Sequence, residues 1–278
     1  MVFENFNHVN SNGEMFEFKK YGISINENSF RDYIWKYSTI NNRITSFYKE
    51  CETFPLELTV NIRGRNDYND IKNMLYEHFE QDVTNNEMGY FEKDGYRLYC
   101  FVIGSEKKDY LIADRYMKIE LTVLCEQKSW IKIDKLSFFA DDGISSLDSS
   151  ELKIYPYCFP YRYGRMVGNS SFINSSVKDS DFKIIIYGPV ANPSISIDGI
   201  VYGIEYMIQN GEYCIIDSKN REIYLYDNTG NKKNLFDYRM KEYNVFTKIK
   251  RGFNSVNWSA SFGFDIELMD ERSELKWI

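Results

Sequence analysis

The chain has 278 residues and a mass of 33.0 kDa, enough for one large domain or two ordinary ones. Its 41 acidic and 34 basic residues give a formal net charge of −7, which argues against recognition of nucleic acid. A mean hydropathy of −0.48 and the lack of an apolar run near ~18 residues predict no membrane span. The first ten residues have neither a basic start nor an apolar core, so no secretory signal is predicted.

Strand patterns dominate the first half of the chain. Apolar residues occupy every second position of residues 56–63 and of residues 117–125, which predicts strands with one buried and one solvent-exposed face. One segment between them has apolar residues at helical spacing, and they are Ile71, Met74, Leu75, His78 and Phe79. With Asn66 or Asp67 as its cap, we expect this single helix to cover residues 68–81.

The second half is predicted to contain only strands. Residues 256–268 alternate over thirteen positions, which exceeds a typical strand and predicts a bend or bulge near Gly263. Turn sequences such as Asn210-Gly211 separate the shorter predicted strands, which are residues 183–187, 194–198, 212–216 and 221–226. This spacing is typical of an antiparallel sandwich or jelly roll.

A domain boundary is predicted between residues 134 and 165, where residues 140–150 are polar, rich in Gly, Ser and Asp, and without periodicity. We therefore predict a mostly-β protein of two domains. Residues 1–140 form a β-rich domain with one α-helix, and residues 141–278 form an antiparallel β-sandwich.

Signatures of catalysis are missing from the sequence. It has no phosphate-binding loop, nucleophile elbow, zinc-binding His pair or EF-hand. The two histidines are His78, interpreted as a structural, half-buried residue of the helix, and His8, for which the sequence suggests no partner. The five scattered cysteines are interpreted as reduced and mostly buried thiols. We predict no catalytic residue, no cofactor-binding residue, no metal ligand and no cofactor.

Carboxylates supply the remaining candidates. Asp141 and Asp142 fall in the predicted linker and are interpreted as solvated. Asp265 and Glu267 are predicted to share the polar face of the long strand with Asn257, where an acidic and aromatic surface could bind sugar. Trp258 falls on the opposite, apolar face, where a core role is expected. Glycoside hydrolysis by the two carboxylates is the weakest interpretation. By elimination, a structural or interaction protein is the leading class.

Several phrases of the sequence resemble one known family. They are FKIIIYGPVANPSISIDGIVYG (residues 182–203), GEYCIIDSKNREIYL (211–225), NLFDYR (234–239) and FTKIKRGFNSVNWSASFGFDIELMDERSELKW (246–277). Phrases of the first half, at residues 54–64, 95–105 and 119–132, follow in the family's order. Together they resemble the distal tail protein (Dit) family of bacteriophages and phage-tail-like particles.

The resemblance implies a non-enzymatic protein of the virion tail tip, made and assembled in the bacterial cytoplasm. Members form a homo-hexameric ring between the tail tube protein and the tail-associated hub or fibre protein. Their amino-terminal domains close the ring, partly by a belt-like strand exchange, and their carboxyl-terminal domains are galectin-like sandwiches that dock receptor-binding proteins. In related particles this platform is sometimes itself a carbohydrate-binding module, so cell-wall sugar is the alternative ligand.

A ring needs a contact that repeats from copy to copy. Each subunit then offers one patch to the next and a different patch to the one before. Residues 56–63 are proposed as an edge strand that pairs between neighbours. An aromatic content of 17% suits such contacts, because Tyr, Trp and Phe are favoured at interface cores.

Overall fold

The computed structural model describes residues 6–61, 68–111, 116–140 and 169–276. The chain forms two compact units. The first runs to Lys132 and includes the segment from Glu271, and the second is Ile133–Asp270. The predicted domain boundary between residues 140 and 141 stays a prediction, because residues 141–168 lie outside the described ranges.

The first unit combines short and long antiparallel strands with one α-helix and one 3₁₀ turn, Phe18–Tyr21. In chain order its elements are β1 (Asn7–Val9), β2 (Met15–Phe16), β3 (Ile23–Asn28), β4 (Lys36–Ile40), β5 (Arg43–Tyr48), β6 (Glu52–Asn61), α1 (Tyr68–Asn85), β7 (Gly89–Lys93), β8 (Tyr96–Leu111), β9 (Tyr116–Cys125) and β10 (Trp130–Phe138). Strand β10 begins in this unit and its last residues belong to the second.

The second unit contains only strands and one short 3₁₀ turn among its described elements. The strands are β11 (Asn169–Asn174), β12 (Phe182–Tyr187), β13 (Val190–Ala191), β14 (Ser194–Ile197), β15 (Ile200–Gly203), β16 (Met207–Ile208), β17 (Tyr213–Asp217), β18 (Glu222–Tyr226), β19 (Lys232–Asn234), β20 (Gly252–Trp258) and β21 (Phe264–Arg272). The prediction of a mostly-β protein with one helix is therefore confirmed for the described residues.

Strand β8 organises the first unit. Its first residues pair with β7 from Tyr96 to Cys100, and the rest pairs with β9 from Phe101 onward. Strand β6 lies between β3 and β9, and Val60 is opposite both Ile23 and Met117. The proposal that residues 56–63 form a free edge strand is therefore wrong for the described part of that segment. Its apolar alternation gives its buried face but not its neighbours.

Helix α1 covers the predicted segment and continues four residues beyond its expected end, to Asn85. The helix ends where Asn86 takes a positive φ of 54°. Ile71, Leu75 and Phe79 are buried as their spacing predicts, whereas Met74 is 42% exposed. None of the described helical residues forms a stretch long and apolar enough to cross a membrane.

The core of the first unit is rich in aromatic rings. Trp130 is fully buried and packs its ring against Phe6 and Phe30, with centroids 5.9 and 5.8 Å away. Its indole N–H donates to the carbonyl of Phe30 at 2.9 Å, so the polar atom of this large side chain is satisfied. This contact fixes the backbone at Phe30, just before β4.

The second unit is a β-sandwich. One sheet has the order β11-β20-β14-β15, and strands β19, β18, β17, β12 and β21 are neighbours in the other. The inward residues of both sheets form one core, and they include Phe172, Ile184, Ile195, Ile216, Val256 and Ile266. The predicted short strands are confirmed to within one residue at each end.

The predicted long strand of residues 256–268 is two strands. Strand β20 ends at Trp258 and belongs to the four-stranded sheet, while β21 begins at Phe264 and pairs with β12 in the other. Ala260, with a positive φ of 60°, lies in the connection. The alternation continues across this break because both strands face the same core, where Val256, Trp258, Phe264 and Ile266 are all buried. The expected bend is therefore a crossing between sheets.

Candidate interaction surfaces

A two-stranded hairpin has no buried residue on either face. We call residues 33–48, which include β4 and β5, the hairpin arm, and every one of these residues is exposed. Its large apolar side chains are Tyr33, Ile34, Trp35, Tyr37, Ile40, Ile44, Phe47 and Tyr48, each between 41% and 64% exposed. An isolated hairpin is marginally stable in water, and such a cluster of apolar side chains indicates an interaction site.

The turn of the hairpin arm is built for tight pairing. Ile40 is opposite Arg43, so the loop has two residues, Asn41 and Asn42, with positive φ values of 49° and 59°. A two-residue loop of this conformation matches the twist of the strands it joins, and Asn tolerates it better than most residues. Farther from the turn, Tyr37 is directly opposite Phe47.

The base of the hairpin arm is fixed to the core. On the entering side, Arg31 donates to the carbonyl of Leu275 at 2.8 Å and Phe30 is fully buried. On the leaving side, the Lys49 ammonium donates to the Lys128 carbonyl and to the Ser129 hydroxyl. The same ammonium lies 5.1 Å from the centre of the Trp35 ring. Both ends of the arm are therefore attached to residues of the first unit.

The two histidines lie together in the first unit. His8 in β1 and His78 in α1 are both buried, and their ring nitrogens are 2.9 Å apart. The interpretation of His78 as a structural residue agrees with its contacts, although it is buried and not half-buried. The partner of His8 is 70 residues away in the sequence, which is why the sequence alone did not suggest it.

The carboxylates predicted to share one face are separated by the crossing. Asn257 is in β20, whereas Asp265 and Glu267 are in β21 of the other sheet, so the predicted three-residue face is wrong. Asp265 is buried and accepts hydrogen bonds from the Tyr187 hydroxyl at 2.6 Å and the Lys135 ammonium at 2.8 Å. Partial burial, and then this carboxylate, raise the pKa of Tyr187. Asp265 therefore already has two partners.

A row of tyrosines crosses the same sheet. Tyr187, Tyr213 and Tyr226 are opposite one another on β12, β17 and β18, with ring centroids 6.5 and 5.1 Å apart. We call these three residues the tyrosine row, and all three are at least partly exposed. The Tyr213 and Tyr226 rings are parallel to within 8° and stack on each other, so only their remaining faces and edges are open to another flat or ring-shaped group.

The remaining predictions concern two further carboxylates, metal ligands and the cysteines. Asp141 and Asp142 lie outside the described residues. Within the part of the chain that is described, no group of three or more His, Cys, Asp or Glu side chains could hold a metal ion. Cys100, Cys125 and Cys214 are free and buried as predicted, and Cys51 is free but exposed.

The fold is similar to solved structures of phage tail proteins. The Dit protein (gp 19.1) of phage SPP1, described as a paradigm of the hub adsorption apparatus in phages that infect Gram-positive bacteria, matches with a TM-score of 0.60. The match has 9% sequence identity and covers 96% of this chain and 99% of that one. A chain of the phage P2 baseplate in its activated conformation with Ca matches with a TM-score of 0.56, at 12% identity, over 99% and 100% of the two chains.

A second phage p2 baseplate structure, with Sr, gives a TM-score of 0.54 at 11% identity over 98% and 99% of the two chains. The sequence itself matches no protein-family model and no curated protein. The fold class is thus that of phage hub and baseplate proteins. More particularly, the fold is that of the Dit proteins, which confirms the resemblance noted in the sequence.

Proposed function

We propose that this chain is a structural component of a phage tail tip, where copies form a hexameric ring. The ring would join the tail tube protein to the tail-associated hub or fibre protein and give receptor-binding proteins a place to dock. The protein would be made in the bacterial cytoplasm and assembled there into the tail. Full-length similarity to the SPP1 Dit fold supports this role. We also propose that it has no catalytic activity.

The observation that carries the proposal is the hairpin arm. Its exposed apolar side chains are costly in water, and its strands have no packed core of their own. Burial against another protein removes both costs at once. Because the base of the arm is fixed, the arm can reach a neighbour in a single, repeated direction, which a closed ring requires.

Charge favours a second copy of this chain as the occupant. The arm carries Lys36 and Arg43 and no acidic residue, whereas the whole chain has a net charge of −7. A basic and apolar arm is therefore complementary to the acidic surface of its own kind. A heterologous contact of this type closes into a ring after a fixed number of copies, six in the proposed assembly.

The experiment compares oligomeric states. Wild-type protein, alone or mixed with tube and hub partners, is expected to form rings of about 200 kDa, six times the 33.0 kDa chain. The double variant Tyr37→Ser, Phe47→Ser removes the central apolar pair of the arm and should remain monomeric. The matched control, Ile173→Ser with Phe253→Ser, removes an equally exposed cross-strand pair of the second unit and should assemble normally.

Light scattering and electron microscopy measure the oligomeric state of each variant. Equal assembly by the arm variant and the control would contradict the role of the arm. A particle reconstruction without this chain at the tip of the tail tube would overturn the proposed function itself.

A second candidate function is binding of cell-wall carbohydrate, and the tyrosine row is the observation that favours it. Pyranose rings stack on tyrosine faces, and Glu267, which is partly exposed on the adjacent strand, supplies an acceptor for hydroxyl groups. Calorimetry with wall polysaccharides should show binding that is lost in Tyr213→Ser and kept in Tyr238→Ser, which changes an exposed tyrosine outside the row. If no wall polysaccharide gives a heat of binding, carbohydrate binding is contradicted and only the docking role remains.

A further inference from the structure

The only two histidines of the chain form one buried contact. His8 in β1 is fully buried, His78 in α1 is 7% exposed, and His8 Nδ1 lies 2.9 Å from His78 Nε2. A hydrogen bond at this distance needs one nitrogen with a proton and one without. The contact therefore exists only while at least one of the two rings is neutral.

One arrangement of protons gives three of the four ring nitrogens a hydrogen-bond partner and leaves His8 Nε2 without one within hydrogen-bond distance. The Asn10 amide, 3.5 Å from His78 Nδ1, donates to that nitrogen, and His78 Nε2–H donates to His8 Nδ1. His8 Nε2–H then points toward the Asp82 carboxylate, whose Oδ2 is 3.8 Å away. This assignment follows from the network of donors and acceptors, and both rings are neutral in it.

The surroundings of the pair favour the neutral form. The His8 ring contacts the rings of Phe79 and Phe91, with centroids 4.9 and 4.8 Å away. The His78 ring lies 5.3 Å from the ring of Phe16. Burial lowers the pKa of both histidines, and for His8 the neighbouring His78 lowers the pKa further.

Three other titratable groups face the pair. Glu14, which accepts a hydrogen bond from Asn10, raises the pKa of His78 and partly offsets its burial. Asp82 in α1 has a pKa raised by burial, and Cys100 in β8 has a pKa raised well above its ordinary value, also by burial. Even with Asp82 3.8 Å from His8 Nε2 and Glu14 near His78, the pKa of both histidines stays below its ordinary value, because burial is the largest influence on each ring.

The pair sits where the amino-terminal strands meet the helix. Asp82 accepts a hydrogen bond from the backbone N–H of Ser11 at 2.6 Å. The Asn85 amide donates to the Ser11 hydroxyl at 3.1 Å and to the Asn12 side chain at 3.2 Å. The turn between β1 and β2 is therefore attached to α1 by these bonds and by the histidine contact.

We propose that the His8–His78 pair is a proton-sensitive latch, which holds β1 and β2 against α1 at neutral pH and releases them in mild acid. When both rings take up a proton, two N–H groups face each other at 2.9 Å and two positive charges lie among aromatic rings. Release exposes the rings to water, where both charges are solvated.

The sign of the pH dependence follows from the lowered pKa values. The open form binds protons at the ordinary histidine pKa of 6.5, and the closed form binds them only at lower pH. The closing contribution is thus fully present above pH 6.5 and is lost as the pH falls below it. Asp82 has the opposite sign and acts at lower pH, near and above its ordinary value of 3.8.

Wild-type protein provides the first test, because two histidines give only two Hε1 signals in a proton NMR titration. Neither signal should titrate at pH 6.5 while the segment is closed. Hydrogen exchange of residues 7–16, corrected for the intrinsic rate, should show an opening constant that rises more than about tenfold between pH 7.5 and 5.5, since each proton taken up contributes at most tenfold per unit.

A variant separates the latch from general acid instability. His78→Gln keeps an N–H donor toward His8 and cannot take up a proton. The opening constant of residues 7–16 should therefore rise less between pH 7.5 and 5.5 than in wild type, and only by the amount that protonation of His8 alone contributes. Glu80→Gln, an exposed position of the same helix, should behave as wild type. If His78→Gln does not fold, the wild-type titration decides. A histidine signal that titrates at or above pH 6.5, or protection of residues 7–16 that does not change with pH, overturns the proposal.

Discussion

Gly89, the first residue of β7, shows how tightly single residues are constrained around the histidine pair. A Cβ atom at this position would lie 2.7 Å from a ring carbon of His8 and 2.7 Å from the Val9 carbonyl oxygen, and it would also contact the Asp82 carboxylate. Real Cβ contacts are essentially never this short, and one neighbour is backbone that cannot swing away. Only glycine fits here.

Replacing Gly89 by alanine should therefore destabilise the first unit. We expect a loss of about 1–3 kcal/mol, because the added methyl group forces β1 and β7 apart. Thermal and urea unfolding measure the change. In the matched control Gly104→Ala the new Cβ meets only the Thr122 side chain, at 3.1 Å, so the loss should be smaller. Equal losses in the two variants would contradict the close approach at Gly89.

At the scale of single elements, the hairpin arm depends on its turn. Asn41 and Asn42 both adopt left-handed backbone conformations, and the strands they join gain no stability from a core. A residue that resists positive φ should therefore open the whole arm, whereas in a packed hairpin the core would hold the strands together.

Asn42→Val tests this dependence, because a β-branched residue is strained at a φ of 59°. We expect trypsin to cleave after Lys36 and Arg43 several-fold faster than in wild type. Asn42→Gly, which adopts positive φ freely, should be cleaved no faster than wild type. If the valine and glycine variants are cleaved at the same rate, the turn does not control the arm.

The elements differ in how well the sequence predicted them, and burial explains the difference. Strands β6, β9 and β12 and the helix were recognisable because one face of each packs on a core and sets a period. The hairpin arm has no buried face, so no period marks it, and it was missed. The only signal was the Asn41-Asn42 pair between two runs rich in β-branched and aromatic residues.

The candidate sites were harder to predict than the elements. Alternation in residues 256–268 gives the inward face correctly but cannot tell that Trp258 and Phe264 belong to different sheets. The histidine pair joins residues separated by 70 positions, and the tyrosine row joins three strands. Such contacts depend on strand order and register, which a local pattern does not contain.

At the scale of the whole molecule, the described cysteines differ in how deeply they are buried. Cys100 and Cys125 are buried in the first unit and Cys214 in the second, and Cys51 is exposed. Burial raises the pKa of the Cys214 thiol to about 12 and raises that of Cys100 well above its ordinary value. Since the thiolate is the reactive form, these thiols should be inert.

Among the cysteines that the structure describes, iodoacetamide at pH 8 should therefore label Cys51 first. Peptide mapping is expected to show rapid modification at Cys51 and little at Cys100, Cys125 and Cys214 until denaturant is added. Labelling of Cys214 at the rate of Cys51 in the native protein would contradict the burial of the second core. Cys51 follows the hairpin arm, so its protection on mixing with partners would also report on assembly near that arm.

The length of β8 has a mechanical consequence for the first unit. One uninterrupted backbone of 16 residues is bonded to β7 at its start and to β9 along the remainder. A force that pulls β7 and β9 apart along the strand direction is shared by the hydrogen bonds of each pairing, and between the two pairings it is carried by the covalent backbone of β8. The backbone of β8 therefore connects β7 to β9 by a link that stretches little under load.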